Sequence, residues 1–165
     1  MWKIVGYLPP KGFAAEMEKA QAAFVNRPKW EEALKKDPNN LAALLGLIPI
    51  YVQEGNGKEA EAMLRRAEAQ DPTNAEGKLD DAYNAIGDAY QMQDDHAKAV
   101  PFFEKAAQSK DEDKAAYALI SIAYCLFAEG KAKESIPHLE RLIKMGPAAD
   151  DYREQAKGML AQAKR

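Results

Sequence analysis

The feature that most restricts this chain is one spacing of apolar and small residues that occurs three times. In the middle of the 165-residue sequence it reads Tyr83, Ile86, Gly87, Tyr90, Ala99, Phe103, Ala106 and Asp111. The same eight offsets recur upstream as Leu44, Leu47, Ile48, Tyr51, Ala60, Leu64, Ala67 and Pro72, and downstream as Leu119, Ile122, Ala123, Leu126, Ser135, Leu139, Leu142 and Pro147. Residues three and four apart share a helical face, so the first four positions form a stripe on one helix and the next three a facing stripe on a second. A small residue within a stripe lets the two helices approach closely. Turn chemistry separates the stripes at Gly55-Asn56-Gly57, Asp94-Asp95 and Gly130-Lys131, and Asp71-Pro72, Asp111 and Gly146-Pro147 follow, where a cap or a proline starts the next helix.

This pattern resembles the tetratricopeptide repeat family, whose W-x2-L-G-x2-Y…A-x3-F…P signature is met nearly in full by the middle repeat. The departures are Tyr83 for the Trp, Asp94 at the usual turn glycine, Asp111 at the usual proline, Ile48 at the packing glycine of the first full repeat and Ser135 for the Ala of the third. The resemblance implies an all-α fold, a right-handed α-solenoid of antiparallel helix hairpins forming a single domain over 1–165. Its expected parts are an extended start and a degenerate repeat in 1–40, full repeats at 41–74, 80–113 and 116–149, and a capping helix at 149–165. Stepping back one period of about 34 residues from the first full repeat places Phe13, Met17, Trp30, Ala33 and Pro38 in the core of the degenerate unit. Pro28 delays its second helix to Lys29. The expected helices are 12–25, 29–36, 41–54, 58–70, 76–92, 96–109, 113–129, 132–145 and 149–163, with Asn74 capping the fifth, which an insertion lengthens by a turn.

Composition removes several function classes. With 23 basic and 26 acidic residues and a net charge of -3, no basic field would gather a nucleic acid. The longest apolar run, Leu41 to Val52, is broken by Gly46 and Pro49 and falls short of the roughly 20 residues a membrane-spanning helix needs. Met1 to Pro10 lacks the pattern of a signal peptide, and the lone Cys125 excludes an intrachain disulfide, so a cytoplasmic location is expected. His96 and His138 are the only histidines and nothing pairs them with a nucleophile. The acidic clusters Asp80-Asp81, Asp94-Asp95, Asp111-Glu112-Asp113 and Asp150-Asp151 lack the alternating ligands of a calcium loop and read as helix starts. Neither a phosphate loop nor a metal set is present, so no enzyme activity, metal or cofactor is expected.

The family resemblance further implies a non-enzymatic adaptor whose first helices line a concave, partner-binding groove. With the internal stripe removed, the outward residues of those helices are Ala42, Leu45, Pro49, Val52 and Gln53, then Asp81, Asn84, Asp88, Gln91 and Met92, then Tyr117, Ile120, Ser121, Tyr124 and Phe127. Such a groove is apolar at one end, acidic and amide-bearing in its middle and aromatic at the other. Exposed Ile120, Tyr124 and Phe127 call for a partner, and the groove's charge suits a protein or peptide segment with Lys or Arg between apolar residues. Some family members clamp the carboxylate end of chaperone tails with basic and Asn side chains. Where that clamp needs them this chain has Leu45, Pro49, Ala85, Tyr117 and Ser121, or in the other frame Lys11, Ala15, Gly46, Asp81 and Ala85. A second reading stays open: a self-assembling scaffold, a homo-oligomer joined through the groove or through the apolar segment Trp2 to Pro10.

Overall fold

The computed structural model describes residues 25–165, and among them every regular element is a helix. The chain divides into two compact units, one ending at Gln70 and the other running Asp71–Arg165. The expected helix at 12–25, with Phe13 and Met17, and the extended segment Met1 to Pro10 lie outside the described residues.

In the first unit α1 (residues 25–36) precedes α2 (Leu41–Gln53) and α3 (Gly57–Gln70). The start expected at Lys29 is corrected, because residues 25–28 are already helical and Pro28 sits within α1. Packing outweighs the proline there. Trp30, Leu34 and Tyr51 pack against Leu47 and Ile50, and the Arg27 guanidinium donates to Glu31 at 2.8 Å and to Glu54 while lying 5.8 Å from the Tyr51 ring centre. Close approach of the indole requires Gly46, where a Cβ would lie 2.4 Å from Trp30 Cε2. Pro38, expected in the core, is exposed in the turn before α2, where its carbonyl accepts from Arg66. Asn40 then caps α2, its side chain accepting from Ala43 N at 3.0 Å. The helix continues through Pro49, and Leu44, Leu47 and Ile48 bury against α3, where Ala60, Leu64 and Ala67 form the facing stripe.

The second unit holds α4 (Asp80–Met92), α5 (His96–Ala106), α6 (Glu112–Ala128), a 3₁₀ turn at Ala132–Ser135 leading into α7 (Ile136–Lys144), and α8 (Asp150–Ala163). Its hairpins stack as in a helical solenoid: α4 packs on α5, α6 on α5 and α7, and α8 on α6 and α7. Gly87 brings α4 onto α5, since a Cβ there would lie 2.7 Å from Phe103 Cε1. The three hairpin turns use one conformation at equivalent positions, Gly55 at φ 75, Asp94 at φ 58 and Gly130 at φ 70. Aspartate stands in for glycine because its short polar side chain tolerates the left-handed region.

The helix expected at 76–92 begins instead at Asp80. The insertion builds a turn held by side chains rather than an extra helical turn: Asn74, at φ 45, accepts from Leu79 N at 2.9 Å through Oδ1 and donates through Nδ2 to Asp80 Oδ1 at 2.6 Å. Ser109 Oγ donates to the other oxygen of buried Asp80, and Lys110 Nζ donates to the Ala75 carbonyl at 3.0 Å. Helix α5 ends at Ala106, short of the expected 109, and the bonds of Ser109 and Lys110 follow in the turn beyond it. The last junction is closed by Arg153 of α8, which donates to the carbonyls of Met145 at 2.8 Å and Gly146 at 2.9 Å, orphan acceptors past the end of α7.

Candidate functional site

Among the first helices, α4 and α6 lie in the same unit and pack directly on one another. Two polar crosslinks set their register. Lys114 Nζ sits 3.0 Å from Asp81 Oδ2, and Tyr117 donates its hydroxyl to Asp88 Oδ1 at 2.6 Å. Beyond the Tyr117–Asp88 crosslink α4 continues by one turn to Gln91 and Met92, whereas Tyr124 and Phe127 stand two and nearly three turns further along α6. One end of the face is thus acidic and the other apolar. Met92 is 62% exposed and Tyr124 39%, and Phe127 is half-buried.

Several residues expected on this face are not available there. Ile120 is buried, and so are Ser121 and Asn84. The expectation treated α6 as one half of a hairpin, whereas it packs against α4, α5, α7 and α8 and has little free circumference. Tyr117 is likewise committed. Its ring meets Phe103 and Tyr152 edge-on, with centroids 6.4 Å apart in each case, and its hydroxyl serves Asp88. Burial first, and then the Asp88 carboxylate, hold that hydroxyl protonated well above the ordinary tyrosine range. Asp81 and Asp88 are therefore not bare like charges, since each already has an internal partner. Lys114, which supplies the first of these contacts, was not singled out in the sequence. The available signal was charge complementarity between Asp81 and Lys114 on successive first helices.

Asn84 lies between the two crosslinks, one turn after Asp81 and one turn before Asp88. Its residue is 9% exposed, and its Oδ1 has no hydrogen-bond partner among the described residues. Ala115 and Ala116, the residues of α6 between Lys114 and Tyr117, carry no side-chain donor. Leu45, Pro49 and Val52 are on α2 in the first unit, each half-buried.

The remaining reactive groups have structural surroundings. Cys125 is fully buried and its thiol is pushed up to about 11, chiefly by burial. Burial also lowers His138 below the usual imidazole value. No group of three or more His, Cys, Asp and Glu among the described residues could hold a metal ion, and no helix among them is long and apolar enough to cross a membrane.

Residues 14–79 match one family model described as a tetratricopeptide repeat, and residues 80–113, which span α4 and α5, match another. Comparison with the curated proteins and with the solved structures gave no match.

Proposed function

This chain belongs to the tetratricopeptide repeat family, whose repeats are generally non-enzymatic modules that mediate protein–protein interaction, and from that premise we propose that the α4–α6 face holds a segment of a partner protein. The observation that carries the reading is that Met92 and Tyr124 stand exposed toward the C-terminal ends of α4 and α6, two helices whose crosslinked stretch bears Asp81 and Asp88. Large apolar side chains at the surface gain most from being covered, and a rigid tyrosine with a hydroxyl at its rim suits a binding anchor. The acidic end favours a segment in which Lys or Arg stands among apolar residues. Coulomb attraction there selects the partner's sign and speeds encounter more than it adds affinity, because Asp81 is exposed and already paired.

A peptide array titrated at low and high salt tests this. Basic-apolar peptides should bind better than acidic ones. Tyr124→Ala should weaken the interaction about tenfold, as loss of a buried aromatic anchor does, whereas Asp81→Asn should act mainly on the salt dependence. Preference for acidic peptides, or indifference to Tyr124→Ala, would refute the assignment of this face.

A further inference from the structure

We propose that the occupant of this face is the segment Trp2 to Lys11 of a second copy of the chain, two copies exchanging segments to form a closed dimer. The inference rests on the reading above and decides a point which that reading leaves open, whose segment is bound. The segment reads Trp-Lys-Ile-Val-Gly-Tyr-Leu-Pro-Pro-Lys, lysines among apolar residues, and the first acidic residue of the chain comes later, at Glu16. That is the composition the face favours, with Asp81 and Asp88 on the crosslinked stretch and Met92 and Tyr124 exposed beyond it. One chain thus carries both halves of a complementary pair.

The spacing of the two halves agrees as well. Tyr117 fixes the level of Asp88, and Tyr124 stands two turns further along α6. At about 1.5 Å per helical residue, the path from Asp81 to Met92 is about 16 Å and that from Asp81 to Tyr124 about 21 Å. Gly6, Pro9 and Pro10 are poor helix formers, and in an extended segment Lys3, Val5, Tyr7 and Pro9 share one side. At about 3.3 Å per extended residue, Tyr7 follows Lys3 by about 13 Å and Pro9 follows it by about 20 Å. A segment laid parallel to α4 with Lys3 at Asp81 therefore brings Tyr7 to Met92 and Pro9 to Tyr124, and the flexible lysine stem takes up the remainder. Stable pairs of chains bury about 1,200–2,000 Å², more than one short segment supplies. Reciprocal exchange makes the contact twice in each association and closes after two copies, because each offers the same face and the same segment.

Sedimentation velocity of the full chain over a range of concentrations tests this, with a synthetic Trp2 to Lys11 peptide as competitor. The chain should pass from monomer to dimer as concentration rises, and the peptide should return it to monomer. Lys3→Glu and Tyr7→Ala placed in the peptide, which leave the folded chain untouched, should each weaken that competition, the second by about tenfold, as loss of an aromatic anchor does. Against a Met92→Ala chain the Tyr7→Ala change should cost the peptide less, because both substitutions remove one contact. Tyr124→Ala in the chain should weaken the dimer by about a hundredfold, about tenfold for each of the two contacts. A dimer that the peptide does not dissociate is joined through another surface, and the inference fails. It fails too if the chain stays monomeric at every concentration, since the occupant is then a foreign protein or the same chain's segment. Array peptides that still bind such a monomer, and bind more weakly with Tyr124→Ala, would leave the reading of the face standing. A monomer that binds neither the array nor the Trp2 to Lys11 peptide would count against the face as a whole.

Discussion

Adding one methyl group to each of two helical glycines tests how closely α4 and α5 approach. A Cβ on Gly87 would lie 2.7 Å from Phe103 Cε1 and 2.8 Å from Cδ1 and Cζ, well inside the carbon contact distance of about 3.5–4.0 Å. Phe103 is fully buried and has no solvent to turn into, so either the ring leaves its rotamer or α5 shifts. Overpacking of this kind costs roughly 1–3 kcal/mol. Against it stands the helix-propensity gain of Ala over Gly, about 0.8–1.0 kcal/mol. Gly158 of α8 provides the reference, because nothing lies within 4 Å of its added Cβ. Gly158→Ala should therefore show the gain alone, and subtracting the two variants cancels propensity and much of the unfolded-state effect. The remaining steric term should be about 1–3 kcal/mol in favour of Gly158→Ala. Urea unfolding followed by far-UV circular dichroism measures it, provided the m-values match. Phe103→Leu in the Gly87→Ala background should recover part of the loss. Equal stabilisation by the two methyl groups would mean that Phe103 does not seat on Gly87 and that the helical phase is wrong.

Other perturbations separate further parts of the structure. Phe103→Ala should cost about 3–5 kcal/mol, while exposed Glu104→Ala should unfold close to the parent; similar midpoints would invert the buried face of α5. Arg153→Ala strips the donors from the Met145 and Gly146 carbonyls and should cost about 1–3 kcal/mol, with faster amide exchange in α8 as its local signature and unchanged exchange as the contrary result. Burial raises Tyr117 and Tyr152 above the ordinary tyrosine value of 10.0, with Asp88 adding to the first and Asp151 to the second. The folded chain then keeps protons that the unfolded chain releases, so stability is complete below about pH 10 and falls as pH rises above it. A melting temperature that stays level to about pH 11, with phenolate absorbance rising in the folded state, would contradict this.

The repeat spacing made the hairpins legible because it records which faces bury, and burial between adjacent helices depends on residues close in sequence. Gly87, Phe103, Leu64 and Leu139 all lie where their offsets put them. What the spacing could not convey was the number of neighbours each helix gathers. Ile120 and Ser121 look outward on an isolated hairpin and are buried because α4 and α8 also cover α6. The Asn74 turn was misread for a related reason. Asn with an acidic residue downstream is the signature of a helix cap, and the competing use of that amide depends on Asp80 and Ser109, the latter 35 positions away in sequence. On the candidate face, the types of Asp81, Asp88 and Tyr124 were readable, but whether the two carboxylates were already engaged depended on partners in the next repeat.

The four-sided packing of α6 also bears on the order in which the second unit is assembled during folding. Contacts in stacked hairpins are short in sequence, so structure grows from whichever element gathers the most neighbours first, with each added hairpin propagating it. Helix α6 meets two helices that precede it and two that follow. Side chains at its centre, such as Leu119 and Ile122, are accordingly expected to be partly formed at the rate-limiting barrier, and truncating them should slow refolding. Ala156 and Ala163 on the terminal helix α8 engage later, and perturbing that helix should quicken unfolding while leaving the refolding rate in place.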